Sequence, residues 1–267
     1  MHSKKLSIVT VNLNNSSGLK KTIESVVHQT FKDFEFIVID GGSTDGGVEV
    51  IRQYEDKIDY WVSEPDKGIF NAMNKGTLVA RGEFLLFLNS GDYFVNERIL
   101  QTFIEDIDGY DIIYGDWLQY YTDDRIIEGK YPDFLSFYFV AFKSGLPHQA
   151  TLIRRSVLLA NNLYDEDMKI ISDWKFFMLA IFKNQCKYLH KPEYIVYYNN
   201  EGVSSTEKAY ELQTIERNAF LKSEFPNFMG EKQEGDNLRE KIRHFNNLFI
   251  IRIFKKIGLI KNENTTN

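Results

Sequence analysis

Short apolar runs alternate with amphipathic stretches over roughly the first ninety residues, and that alternation limits the fold more than any other feature. Leu6-Ser-Ile-Val-Thr-Val-Asn12 is rich in β-branched residues and reads as a buried strand. Leu19, Ile23, Val26 and Val27 recur at helical spacing, which predicts a helix ending near Gln29. A second strand, Glu35–Asp40, closes on Gly41-Gly-Ser-Thr-Asp-Gly46, and a helix over Val48–Tyr54 follows. Ile58–Val62 predicts a third strand, Ile69–Val79 a third helix and Glu83–Leu88 a fourth strand, apolar from Phe84 onward. Continuous apolar strands are expected where helices cover both faces of a parallel sheet. The fold class is therefore α/β, a mostly parallel sheet flanked by helices with a Rossmann-like nucleotide-binding first half.

The later sequence is less regular. Asp111–Trp117, His148–Ile153 and Leu189–Tyr198 read as strands, Tyr120–Glu128 as a hairpin and Asp173–Phe182 as a helix, while the period of Phe134–Phe142 is undecided. Helices are expected over Tyr210–Phe225 and Leu238–Ile257. The expected division is a domain over 1–205, with a nucleotide-binding half to about 117 and an acceptor half over 118–205, then a helical extension over 206–267.

A single cysteine, Cys186, excludes a disulfide framework and fits a reducing compartment. The net charge of −6 argues against a nucleic-acid binder. Between Arg239 and Lys261, seven basic residues against one acidic give +6, which leaves −12 for the rest of the chain. No run reaches ~18 apolar residues and the N-terminus lacks a signal-like pattern, so a cytoplasmic protein is expected. The basic, apolar-striped stretch 239–261 suits either peripheral contact with an anionic membrane, on the inner face of the plasma membrane, or docking on protein.

In an open parallel sheet, ligands bind beyond the carboxyl ends of the strands. Thr10 lies near the end of the first strand, and Asn12, Asn14 and Asn15 follow; Asp40, Gly42 and Ser43 follow the second. Ser63 to Gly68, with Asp66 and Lys67, follow the third, and Asn89-Ser90-Gly91-Asp92 the fourth. Any one of these loops alone is ordinary turn chemistry. Four on one edge make a rim suited to a nucleotide and a divalent cation. The P-loop pattern is absent and Gly41-Gly42 does not form GxGxxG, which disfavours a hydride-transfer enzyme.

Residues 5–205 resemble glycosyltransferase family 2, inverting enzymes of GT-A fold, and most nearly its bacterial polysaccharide-assembly branch. The resemblance is carried by Ser7–Asn14, Glu24-Ser25 with Gln29-Thr30, Ile37–Gly46, Asp66–Gly76 and Ala80–Phe84 running into Leu88–Asp92. Pro147-His-Gln-Ala150, Ser172-Asp-Trp174 and Gly202-Val-Ser204 continue it in the same order. It implies transfer of a sugar, hexosyl in type, from a nucleotide-diphosphate sugar, with a UDP-sugar favoured, to a glycan or lipid-linked acceptor hydroxyl.

The same resemblance implies that Asp173 is the catalytic base and that Asp92 holds Mn²⁺ or Mg²⁺, with His148 on the diphosphate or completing the metal shell. Asp66 and Lys67 fall at base or phosphate positions, Asn74 near the donor, Asn89 near the ribose and Ser90 beside it. Three departures stand out. Asn89-Ser90-Gly91-Asp92 replaces an Asp-x-Asp stretch, Gly41 replaces an acid that contacts the base, and Met73 replaces an arginine. Base recognition then falls to Asp40 and backbone groups. Read without the resemblance, Ser172 or Asp173 is a helix cap, and His2, His28, His190 and His244 are ordinary polar residues. Two rival functions are a non-catalytic nucleotide-sugar-binding subunit and a sugar nucleotidyltransferase. The latter calls for a basic phosphate loop that Asn12–Gly18 lacks.

Overall fold

The computed structural model describes residues 4–121, 125–199 and 206–230, together with 237, 240, 241 and 244. Strands β1 (Leu6–Asn12), β2 (Phe34–Asp40), β3 (Tyr60–Ser63) and β4 (Phe84–Phe87) alternate with helices α1 (Ser16–Val27), α2 (Gly47–Gln53) and α3 (Ile69–Val79). Every residue of β1 and β4 is buried. Leu6 and Ile8 pack with Leu19, Ile23 and Val26 of α1, in a core shared with Phe36, Val38, Phe84 and Leu86. On the other face α3 runs so close to β1 that a Cβ on Gly76 would overlap Val9. Removing a side chain such as Leu86 from this core costs about 2–5 kcal/mol.

The chain continues through β5 (Tyr93–Phe94), α4 (Ile99–Phe103), β6 (Ile112–Tyr120), β7 (Ile126–Gly129) and α5 (Phe137–Phe142). Then follow β8 (Thr151–Arg154), α6 (Arg155–Ala160), α7 (Ser172–Met178), β9 (Tyr188–Asn199) and α8 (Glu207–Glu224). One nine-stranded sheet runs β3-β2-β1-β4-β8-β6-β9-β5, with β7 paired to β6. Strands β1 to β4, β6 and β9 point one way, and β5, β7 and β8 the other. The first half of the sheet is thus wholly parallel, and β8 turns it into a mixed second half.

Two expected elements differ in detail. His148–Ile153 is not one strand: His148–Ala150 form a 3₁₀ turn after Pro147, and β8 starts only at Thr151. The helix expected to Phe182 is α-helical to Met178 and continues as a π turn over Leu179–Lys183. Contacts divide the chain into Met1–Gln213 and Thr214–Asn267. In the second, Phe220, Phe225 and Phe228 pack ring against ring. Among the described residues no helix is long and apolar enough to cross a membrane. Gly202-Val-Ser204, nearly all of the expected helix Leu238–Ile257 and most of the basic stretch 239–261 lie outside the described residues.

Candidate active site

The loops after β1 and β2 are sewn to each other around Asp40. This carboxylate is fully buried and accepts five hydrogen bonds. Asn12 Nδ2 (2.7 Å) and Ser43 Oγ (2.6 Å) donate to one oxygen, and Ser63 Oγ (2.6 Å) with the Gly42 and Ser43 N–H groups to the other. Burial pushes its proton affinity up, but the Ser43 and Ser63 hydroxyls, the Ser43 N–H and the Asn12 amide outweigh that and hold it below the usual carboxylate range. Asn14, in the left-handed region at φ 49°, accepts from Thr44 N–H at 2.9 Å and donates its own N–H to Ser43 Oγ at 2.7 Å. Asp45 accepts from Ser16 N–H at 2.7 Å and so fixes the start of α1. Thr10 Oγ1 and Asn12 Oδ1, both buried, have no protein partner.

After β3, Asp66 accepts from Gly68 N–H at 2.9 Å, and its carboxylate lies over Gly41 where a Cβ would collide with it. Asp66 thus fills the space that a side chain at position 41 would need. Lys67 is exposed next to it. Lys75 ties down the approach to this turn through Glu64 (2.7 Å) and the Pro65 carbonyl (3.3 Å). Asn74, expected near the donor, is engaged by protein groups. It is 4% exposed, and its amide bonds the backbone N–H and C=O of Tyr164 and the Glu166 carboxylate. With Asn71, which donates to Glu166 at 2.9 Å, it clamps segment 164–166 onto α3.

The loop after β4 is a tight turn, with Gly91 at φ 103° and Asp92 N–H bonded to Asn89 O at 3.0 Å. Thr22 of α1 holds it. Its hydroxyl accepts from Gly91 N–H at 3.0 Å and reaches Asp92 O at 2.7 Å, and Asn15 donates to Ser90 O at 3.0 Å. Thr22 is a positioning residue that sequence reasoning missed, because a threonine inside an apolar helical stripe looks like core, whereas Asn15 already stood on the rim. Asp92 is 6% exposed. Its charge, after burial and the Tyr121 phenol, helps push the Tyr198 phenol up to about 12.

His148, Asn89 and Asp173 come together in one line. Asn89 Nδ2 lies 3.0 Å from His148 Nε2, and His148 Nδ1 lies 2.8 Å from Asp173 Oδ2. The His148 and Asp173 side chains are 17% and 18% exposed. Both ring nitrogens of His148, expected at the diphosphate or the metal, are engaged by protein groups. Asp173 opens α7, and its other oxygen accepts from Trp174 N–H at 2.8 Å. Ser172 does not cap the helix; its hydroxyl is buried without a partner. Around this line, burial raises the Tyr131 and Tyr164 phenols, Tyr164 strongly, and the Asp173 charge adds to both. Among the described residues no three His, Cys, Asp or Glu side chains are grouped to hold a metal ion. A divalent cation here would therefore take most of its ligands from a donor diphosphate and water.

Residues 7–159 match the model of glycosyl transferase family 2. An uncharacterised glycosyltransferase of Mycobacterium tuberculosis is 34% identical over 181 residues, covering 66% of this chain and 68% of the relative. A PGL/p-HBAD biosynthesis glycosyltransferase of the same species is 29% identical over 193 residues, covering 69% and 73%. Staphylococcus aureus TarS 1-349 in complex with UDP-GlcNAc has a TM-score of 0.64 at 20% identity, over 82% of this chain and 66% of that one. The mannosyltransferase PcManGT of Pyrobaculum calidifontis, in complex with GDP-Man and Mn²⁺, has a TM-score of 0.57 at 15% identity, over 82% and 61%. The chain spans 38% of a longer TarS chain. At these identities the solved structures speak for the GT-A fold alone, but the family model matches more than half of the sequence. The chain belongs to glycosyl transferase family 2 and is a glycosyltransferase.

Proposed function

We propose that this glycosyltransferase moves a sugar from a nucleotide-diphosphate sugar to an acceptor hydroxyl in one inverting displacement, in the assembly of a bacterial surface glycan. One observation carries the reading. The carboxylate at the head of α7 is joined through His148 to Asn89 in the loop after β4, by contacts of 2.8 and 3.0 Å. The group suited to activate an acceptor therefore sits beside the loop suited to a diphosphate. Asp173 takes the hydroxyl proton as the acceptor oxygen bonds to C1, and the bond from C1 to the diphosphate oxygen breaks. Asp92 is the protein ligand for Mn²⁺ or Mg²⁺, which when bound supplies positive charge against the leaving diphosphate.

Donor recognition follows from the rim. Asp40 is occupied by its own loop, so it shapes the pocket, and base contact passes to Asp66 and the Gly41-Gly42 backbone. Asn12 Oδ1 and Thr10 Oγ1 are buried and unpartnered, and on this reading they serve the donor. UDP- and GDP-sugars are the first donors to try, since similar folds carry UDP-GlcNAc and GDP-Man. The acceptor is a glycan or a lipid-linked sugar, with residues 239–261 as the membrane contact in the second case.

Turnover of a nucleotide-sugar panel, with Mn²⁺, Mg²⁺ or EDTA, tests the reading. Asp173→Asn should lower kcat about a thousandfold while nucleotide-diphosphate affinity stays within about twofold. Retained turnover in that variant would remove Asp173 as the base. Metal-dependent nucleotide binding with no turnover by the wild type would instead favour a non-catalytic binding subunit.

A further inference from the structure

A neutral imidazole has one donor nitrogen and one acceptor nitrogen, and its neighbours decide which is which. Around His148 the two neighbours agree. The Asp173 carboxylate at 2.8 Å can only accept, so Nδ1 carries the proton. The Asn89 NH₂ at 3.0 Å can only donate, so Nε2 keeps its lone pair. Asn89 opens the loop after β4, at the place of an acid in the Asp-x-Asp pattern. A carboxylate there would face the Nε2 lone pair and repel it until the ring took a second proton. A cationic ring would then form a charge pair with Asp173 and weaken that carboxylate as a proton acceptor. Turning the Asn89 amide over, with its oxygen toward Nε2, would demand the same second proton.

We propose that Asn89 and His148 are positioning residues for Asp173: Asn89 selects the neutral Nδ1–H tautomer of His148, and that N–H fixes Asp173 Oδ2 for proton removal. The inference rests on Asp173 being the base. It gives the amide at position 89 a chemical reason, since a donor at this place lets His148 stay neutral while it holds the carboxylate, whereas a carboxylate there would not. Asp173 Oδ1 is met by the Trp174 N–H, and the nearby Tyr131 and Tyr164 phenols stay protonated.

The test has a spectroscopic arm and a kinetic arm, both on the full chain. In ¹⁵N spectra of the ring nitrogens, with His148 assigned by the signals lost in His148→Gln, the wild type should show Nδ1 protonated and Nε2 bare at neutral pH. Asn89→Asp should protonate both. In the kinetic arm, His148→Asn keeps an N–H donor at the δ position and should recover kcat to within about tenfold of wild type. His148→Gln and His148→Ala lose that donor and should fall about a hundredfold in kcat, the scale of a mispositioned catalytic group, with nucleotide-diphosphate affinity unchanged. A protonated Nε2 in the wild type overturns the inference. So does wild-type kcat in His148→Gln and His148→Ala when Asp173→Asn is inactive. If Asp173→Asn itself keeps full turnover, the assignment of the base fails, and the spectra still report the tautomer on their own.

Discussion

His148 lies between an amide and a carboxylate, whereas His190 lies between two carboxylates, Asp116 at 3.0 Å from Nε2 and Asp133 at 2.7 Å from Nδ1. Both nitrogens of His190 face carboxylate oxygens. Its ring is 4% exposed and stacks on Tyr114 at 4.9 Å. Asp116 also accepts from Tyr131 N–H at 3.0 Å, and the Tyr131 hydroxyl donates to the Gly145 carbonyl at 2.8 Å. This hydrogen-bonded cluster therefore anchors the segment that leads into Pro147 and His148. One imidazole ties two carboxylates of the scaffold together, and the other, on the proposal above, holds the proposed base as a neutral donor. A neutral donor fixes a carboxylate in place while leaving it able to take a proton; a cation fixes it and opposes that proton.

The widest separation between the two should appear in unfolding free energy. His190→Ala leaves the buried Asp116 side chain without its imidazole partner and should cost about 4 kcal/mol. His148→Ala removes a half-buried hydrogen-bonding ring and should cost about 1 kcal/mol, its main effect on the proposal above being on turnover. Urea unfolding of both variants measures this, and equal losses would erase the distinction drawn between them. Within the His190 cluster, Asp116→Asn should lose about 2 kcal/mol, because its partners are buried. Asp133→Asn should lose under about 1 kcal/mol, because that carboxylate is 93% exposed. If Asp133 proved the costlier of the two, the pairing with Asp116 would not be the anchor.

The parallel half of the molecule was legible in the sequence for a physical reason. Strands covered on both faces read as apolar runs bounded by turn residues, so β1 and α3 fall where periodicity puts them. The mixed half was harder because its elements are short. α5 has six residues, too few to separate a helical from an alternating aromatic pattern, and β5 has two. The rim of donors and acceptors at the strand ends was legible from topology. Its internal wiring was not, because a side chain's partner depends on three-dimensional neighbours: Asn89 meets His148 across 59 positions and His148 meets Asp173 across 25. His190 read as an ordinary polar residue for the same cause, since Asp116 and Asp133 lie 74 and 57 positions away.

Asp40 sharpens the contrast at smaller scale. Like Asp173 it is held by neutral donors, but there are five of them and it is fully buried. Its folded proton affinity is below the ordinary range, so its contribution to stability is fully present above the unfolded value of about 3.9 and is lost as pH falls through the folded one. Ser63→Ala removes one hydroxyl donor at 2.6 Å and should cost about 1.5 kcal/mol at pH 7. The gap to wild type should then close as the carboxyl protonates. Urea titrations at neutral pH and at successively lower pH, until the carboxyl is protonated in the folded protein, give the answer. A gap that persists in acid would mean that Ser63 contributes by packing, and that neutral donors around Asp40 do not act through its charge.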